Sequence, residues 1–390
     1  MITGVGVVSS IGNGLPEFGA ALFEGRDGVA AVRRFDTGKL KVKNGFEIRE
    51  PLEFAGETRL VQLAAVAASE ALLDSALDGA AEGLCLLVGS GLGDEAALHR
   101  MARGEGAPPE LMHRLGPRLA RILGIGAGVI GNGTACSASL GLVGYGADLI
   151  RGGHCARVLV GGADTFSLNS MAYFDRVSGS APERVRPFDR NRQGMLLGEG
   201  AGFLVLEAGR SLPPGKRCYG EILGYGLSCD AQHISNMQVA GVAGAISKAL
   251  ADARLGPEAI DYIAAHGTGT PINDQVETEA IKRVYGARAY VTPVSSVKSM
   301  LGHTAGASGT IGLISALLAI RDQRLPPTIN YENPDPACDL DYVPNRARAR
   351  SVQRVQVNSF GFGGANCSVV VGAPSCGEPP GDRLGVPHAH

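Results

Sequence analysis

The sequence predicts an α/β fold whose largely parallel sheets are buried on both faces. Three observations carry that expectation. Short Val/Ile/Leu-rich runs alternate with segments of helical spacing along the whole chain. The alternation starts again after a Pro/Gly break, SLPPGK at 211–216. Hydrophobic residues make up 45% of the chain and 57 of its 390 residues are glycine. That glycine share is about twice the usual one and suits a large interior with closely packed backbones.

In order, 2–8 reads as a buried strand ending in a Gly/Ser turn. Residues 59–77 carry apolar side chains at helical spacing. Residues 84–88 form a strand entering the turn GSGLG, and 111–123 a helix closed by Gly124. Leu140, Val143, Ala147 and Ile150 share one helical face, which Gly152 and Gly153 terminate. Strands follow at 157–160, leading into GGAD, and at 202–207. After the break come a strand at 219–226, a helix at 241–253, strands at 262–265 and 291–295, a helix at 309–321, and strands at 355–358 and 368–371. The expected organisation is one half over 1–210, a second over 217–373, and a polar, disordered tail over 374–390. Each half opens on a similar strand, ITGVGVVSS and EILGYGLSCD, which points to a duplication.

Charge and composition remove several function classes. Thirty-six basic residues against 38 acidic ones give a formal net charge of −2, with no global field to attract nucleic acid or an anionic membrane. No run of 18 apolar residues predicts a membrane span. The segment MITGVGVVSSIG lacks the basic and apolar regions of a signal peptide, so a cytoplasmic protein without membrane insertion is expected. The eight cysteines (85, 136, 155, 218, 229, 338, 367 and 376) show neither CxxC pairs nor zinc spacing. Seven of them are expected to be unpaired small residues in a reducing compartment. GVGVVS is a near miss to a dinucleotide fingerprint, with Ser9 in the third glycine position. No acidic residue ends a suitable second strand about 20 residues on, which argues against nucleotide binding.

Four segments hold the candidate chemistry. Cys136, in TACSAS, sits where a strand-like segment turns into an amphipathic helix. Unpaired N–H groups and the helix dipole there favour thiolate, although a buried helix-start cysteine fits the segment equally well. His266, in HGTGT, follows a short buried strand, where side chains of α/β sheets line ligand crevices. VKSMLGH brings Lys298 and His303; a buried lysine needs an acidic partner, and Glu277 is a candidate. In NSFGFGG, Gly361, Gly363 and Gly364 permit close approach to a ligand, while Phe360 and Phe362 add bulk.

Taken together and in this order, TACSAS, HGTGT, VKSMLGH and NSFGFGG resemble the signature segments of the free-standing (type II) β-ketoacyl-acyl-carrier-protein synthases, within the thiolase superfamily. The likeness runs from ITGVGVVSSIG to CSVVVG and includes PFDRNRQGMLLGEGAGFLVLE and PPTINYENPDPACDLDYVPN. It implies a five-layered αβαβα sandwich of two duplicated halves. It also implies a homodimer, or a heterodimer with a ketosynthase-like subunit. Carried over by motif, Cys136 is the nucleophile, His266 and His303 are the paired histidines, and Lys298 supports them, paired with Glu277. Phe362 is the gating phenylalanine. Thr268 and Thr270 hydrogen-bond a phosphopantetheine arm. The N–H groups of Cys136 and Phe362 hold the oxyanion.

The implied reaction is a decarboxylative Claisen condensation between a malonyl-type thioester and an acyl group on Cys136, in fatty-acid or polyketide biosynthesis. No cofactor of the chain's own and no metal is implied; the phosphopantetheine belongs to an acyl carrier protein. Some of Arg33, Arg34, Lys39, Lys41, Lys43, Arg176 and Arg184 are candidates for docking that acidic partner. The chain departs from the family in short stretches before Cys136 and after RFDTGKL, and in SCDAQHISNMQVAG, which lacks the usual prolines. These departures leave chain length, extender and pathway open. Ester, amide or ring formation by the same cysteine stays an alternative, as does one subunit of a ketosynthase–chain-length-factor pair.

Overall fold

The computed structural model describes residues 1–105, 112–178 and 180–375. The expected disordered tail falls almost wholly at 376–390, outside the described residues, as does Leu111, the expected start of a helix.

Two five-stranded sheets form the frame. The first holds β1 (Ile2–Ser9), β2 (Leu84–Gly89), β3 (Val129–Asn132), β4 (Arg157–Asp164) and β5 (Gly200–Glu207) in the order β3-β2-β4-β5-β1, with the short strand Gly12–Asn13 added beside β1. The second holds β6 (Glu221–Cys229), β7 (Tyr262–Ala264), β8 (Val294–Ser295), β9 (Arg354–Phe360) and β10 (Ala365–Gly372) in the order β8-β7-β9-β10-β6. The two orders are the same when each half is counted from its own first strand. The directions match as well. In each half the second strand pairs parallel with the third and fourth, and the fifth pairs antiparallel with the fourth and first. The sheets are therefore mixed, which corrects the expectation of largely parallel ones. Val/Ile/Leu-rich strands report burial on both faces; they do not report direction.

Helices supply the other layers. α1 (Arg59–Asp74) and α2 (Met112–Leu123) cover the outer face of the first sheet, and α5 (Val239–Ala253) and α6 (Pro271–Tyr285) flank the second. Between the sheets lie α3 (Ala138–Arg151) and α7 (Ser308–Asp322), packed on each other. The result is the five-layered αβαβα sandwich of the thiolase-like fold. α3 buries Leu140, Val143, Ala147 and Ile150 as the spacing predicts. α7 is apolar nearly all round because sheets and helix enclose it, and almost every residue from Ser308 to Ile320 is buried.

The duplicated opening strands use glycine for the same purpose. A Cβ on Gly6 would lie 2.0 Å from the Ala67 carbonyl oxygen of α1, and one on Gly226 would lie 2.2 Å from the Ala245 carbonyl oxygen of α5. Each strand thus lets its covering helix approach to backbone contact.

Two further expectations are corrected. The strand expected over 291–295 shrinks to Val294–Ser295, because the Arg288 carbonyl captures the N–H groups of Val291 and Thr292 in a turn ahead of Pro293. Cys85 and Cys155, expected to be unpaired, form a disulfide between the start of β2 and the approach to β4. Adjacent parallel strands bring them together although they stand 70 positions apart in the chain, a proximity no local spacing reveals. Among the described residues no helix is long and apolar enough to cross a membrane.

Candidate active site

β3 ends at Asn132, whose side chain braces the next turn by donating to Thr134 Oγ1 (3.0 Å) and the Ala138 carbonyl (3.1 Å). A 3₁₀ turn at Ala135–Ser137 then carries Cys136 into α3. Ala135 takes a left-handed φ of 47° to make that turn. Ser359 of β9 donates to the Cys136 carbonyl at 2.7 Å, tying the turn to the other half. Gly361 closes over it: a Cβ there would lie 3.2 Å from the Cys136 amide nitrogen.

The Cys136 thiol is buried, and burial pushes its pKa up to about 11. The Lys298 charge and the backbone N–H groups of Phe362 and of Cys136 itself pull the other way. The bias toward thiolate expected from the helix start is thus outweighed by desolvation.

The second half brings the rings. His266 follows β7. Its backbone N–H and that of Gly267 each donate to one oxygen of Glu277 at 2.8 Å, and Asn358 of β9 adds its amide at 3.1 Å. Lys298 Nζ donates to the His266 carbonyl at 2.6 Å and lies 3.4 Å from His266 Nδ1. Glu277, the expected acidic partner of Lys298, acts on the ammonium through space, while its oxygens are taken up by N–H donors. Burial lowers the lysine pKa to about 8, against the raising influence of Glu277 and then Cys136.

His303 is clamped by its own backbone, with its N–H on the Leu196 carbonyl (2.9 Å) and its carbonyl on Gly198 N–H (3.0 Å). Its Nδ1 accepts from Ala305 N–H at 3.1 Å. An N–H can only donate, so His303 carries its proton on Nε2; the lysine at His266 Nδ1 sets the same tautomer there. The rings stand edge to face, centroids 5.3 Å apart. Burial first, then the Lys298 charge, holds both imidazoles well below their ordinary pKa. They are neutral N–H donors at physiological pH.

A cavity of about 330 Å³ joins these groups. Its wall includes Cys136, His266, His303, Phe360, Gly361, Phe362, Thr268 and Thr270. Thr268 and Thr270 hydrogen-bond each other at 2.8 Å. Phe360 leans on His266, and Phe362 stacks on Phe174 at 5.7 Å. Gly363, at φ 78°, donates to the Ile234 carbonyl of the proline-poor segment at 2.7 Å. Cys136, His266, His303, Thr268, Thr270, Phe360, Gly361 and Phe362 therefore meet around one space; Lys298 and Glu277 are buried behind its wall, and Gly363 is exposed outside it.

Several supporting residues escaped sequence reasoning. Asp164, at the end of β4, accepts from Ser90 Oγ, Gly91 N–H, Leu92 N–H and Gly306 N–H at 2.6–2.9 Å. Asp274 accepts from Thr268, Gly269 and Phe188 N–H groups and so shapes the HGTGT loop. An Asp closing GGAD, and one three residues into a helix after HGTGT, were the available signals. Among the docking candidates, Arg34 is withdrawn: its guanidinium is spent on Glu47, Glu199, Thr165 and the Phe166 carbonyl.

The comparisons with known proteins agree with this geometry. The N-terminal domain model of β-ketoacyl synthases matches residues 1–211, and the C-terminal domain model matches 219–332. The 3-oxoacyl-[acyl-carrier-protein] synthase 2 of Synechocystis sp. is 35% identical, covering 95% of this chain and 96% of its own. Among solved structures, the ishigamide ketosynthase/chain length factor superposes with a TM-score of 0.91 at 40% identity, covering 96% of this chain and 98% of that one. A type II polyketide synthase acyl-carrier protein in complex with its ketosynthase matches at a TM-score of 0.85 and 30% identity, with the same coverage. The chain belongs to the β-ketoacyl synthase family.

Proposed function

We propose that this chain catalyses decarboxylative Claisen condensation of carrier-bound thioesters, with Cys136 as nucleophile. The observation that supports it most is the pairing, across one cavity, of a sulfur facing two backbone N–H groups with two neutral imidazoles that point protonated Nε2 atoms.

In the first step the Cys136 sulfur attacks an acyl thioester, a new S–C bond replaces the carrier's, and the thiol proton leaves with the carrier thiol. The N–H groups of Cys136 and Phe362 stabilise the tetrahedral oxyanion. A malonyl-type thioester follows. As carbon dioxide leaves, its bonding pair becomes an enolate whose oxygen accepts from Nε2–H of His266 and His303. The enolate carbon attacks the acyl–Cys136 carbonyl and expels the sulfur, which regains a proton. Lys298 positions His266 through its carbonyl and Nδ1, and Glu277 positions the same loop from behind. Thr268 and Thr270 line the path of the phosphopantetheine arm, which an acyl carrier protein delivers. The chain needs no cofactor of its own in this scheme.

Likeness to the ishigamide ketosynthase/chain length factor supports a second subunit of similar fold, in a homodimer or heterodimer. Intact-mass analysis of the protein with several acyl carriers, then with malonyl carrier, tests the proposal. An acyl adduct should appear and then discharge as β-ketoacyl product. Absence of any adduct sinks the scheme; an adduct that leaves as an ester or amide favours acyl transfer without condensation.

A further inference from the structure

Among the residues lining the cavity, Asp175 is the one with a carboxylate, and no lysine or arginine accompanies it. It lies on α4 (Leu168–Ser178) beside Met171, Phe174 and Val177, which also line the wall. Asp175 is only 8% exposed. Its Oδ1 accepts the N–H groups of Lys41 and Val42, both at 2.9 Å. Among the described residues nothing donates to Oδ2. An ionised carboxylate is acceptor-only, so Oδ2, open to the cavity, keeps its accepting capacity for whatever enters there.

Its place in the cavity narrows what could donate to it. Phe174, the preceding residue, stacks on Phe362, whose N–H faces the Cys136 sulfur. Val177, two residues on, is 49% exposed at the rim. Asp175 thus flanks the outer section, between surface and sulfur, which a thioester's arm threads and its acyl tail does not. An acyl tail of saturated carbon offers no donor, whereas a pantetheine arm carries a hydroxyl and an outer amide N–H at some distance from its sulfur. The hydroxyls of Thr268 and Thr270 can donate or accept. A carboxylate only accepts, so it reads the sense of the hydrogen bond.

We infer that Asp175 is a specificity-determining residue of this channel, its Oδ2 accepting a hydrogen bond from the hydroxyl or outer amide of the pantetheine arm. The inference rests on the condensing-enzyme reading of the same cavity. The rival role is purely structural: an anchor for the 41–42 backbone.

Asp175→Asn separates the two roles. The amide oxygen still receives the Lys41 and Val42 N–H groups, while an NH₂ replaces the free acceptor. The probes are S-methyl-pantetheine and S-methyl-N-acetylcysteamine, two inert thioethers, the second lacking the hydroxyl and outer amide. Each is measured by how well it protects Cys136 from iodoacetamide. In Asp175→Asn the apparent Kd of the pantetheine ether should rise about tenfold to a hundredfold, with the shorter ether unchanged. Equal weakening of both, weakening of neither, or wild-type protein unprotected by the pantetheine ether overturns the inference. Because the two ethers are compared within one variant, a change in its Tm does not blur the result. Failure of the condensing reading shows elsewhere, as absent acyl loading of the wild type, which protection does not require.

Discussion

The turn that carries Cys136 and the turn that follows His303 occupy equivalent places in the two halves, and they differ in what they hold. Each is a 3₁₀ turn, at Ala135–Ser137 and Ala305–Ala307, leading into a middle-layer helix. Each begins on an alanine forced into the left-handed region, with φ 47° and 43°. That strain is roughly 1–3 kcal/mol per residue and persists only where surroundings impose it. The surroundings are exchanged between halves. Ser359 of the second half's fourth strand holds the Cys136 carbonyl, and Asp164 of the first half's fourth strand holds Gly306 N–H. In the first turn the second position is a sulfur. In the second turn it is Gly306, and the chemistry has moved back to His303. Duplication therefore explains the scaffold, and the crossed tethers explain why a thiol from one copy and two imidazoles from the other line one cavity.

If the halves divide labour this way, removing the first half's contribution should be the most severe change. Cys136→Ala is expected to abolish acyl loading, with no adduct detectable by intact mass. An adduct on that variant would break the comparison outright. His303→Ala should come next. It removes one of two donors to the enolate, which typically costs about a hundredfold to a thousandfold. Release of carbon dioxide from malonyl carrier should fall by that amount, while acyl loading, which leans on the Cys136 and Phe362 N–H groups, falls less than about tenfold. Equal losses in both assays would erase the division.

A smaller effect reads the second half's electrostatics. Lys298 is charged below its pKa of about 8 and loses its proton as pH rises through that value. The imidazoles, held well below their ordinary pKa, stay neutral throughout this window. Condensation should therefore decline on the alkaline side from about pH 8, and Lys298→Met should lack that limb. A wild-type profile flat to pH 9.5 would show that the ammonium is not needed.

What could be read from the chain follows the range of each interaction. Buried helical faces such as Leu140, Val143, Ala147 and Ile150 are local, and spacing alone exposes them. The motif residues Cys136, His266 and His303 were visible because segments, read in order, resemble a family. Strand direction was not visible, since apolar runs are alike in parallel and antiparallel sheets. The Cys85–Cys155 bridge and the role of Asp164 depend on neighbours brought together by sheet order. Glu277 was legible as a partner for the site but not in its manner, because backbone N–H groups compete for a carboxylate and leave no trace in side-chain spacing.

The scaffold side of the comparison is open to a matched pair of small substitutions. Gly6→Ala and Gly226→Ala place a methyl at equivalent positions of β1 and β6, each about 2 Å from a helix carbonyl. Both helices must shift outward, at a cost of about 1–3 kcal/mol. The active-site turns lie at the opposite face of each sheet, so loading and condensation should survive below the new Tm. Similar losses of Tm for the two variants are expected if the copies still pack alike. A much larger loss for one would mean that the halves, though identical in strand order, no longer share the rigidity of their outer layers, because one helix can slide along its sheet and the other cannot.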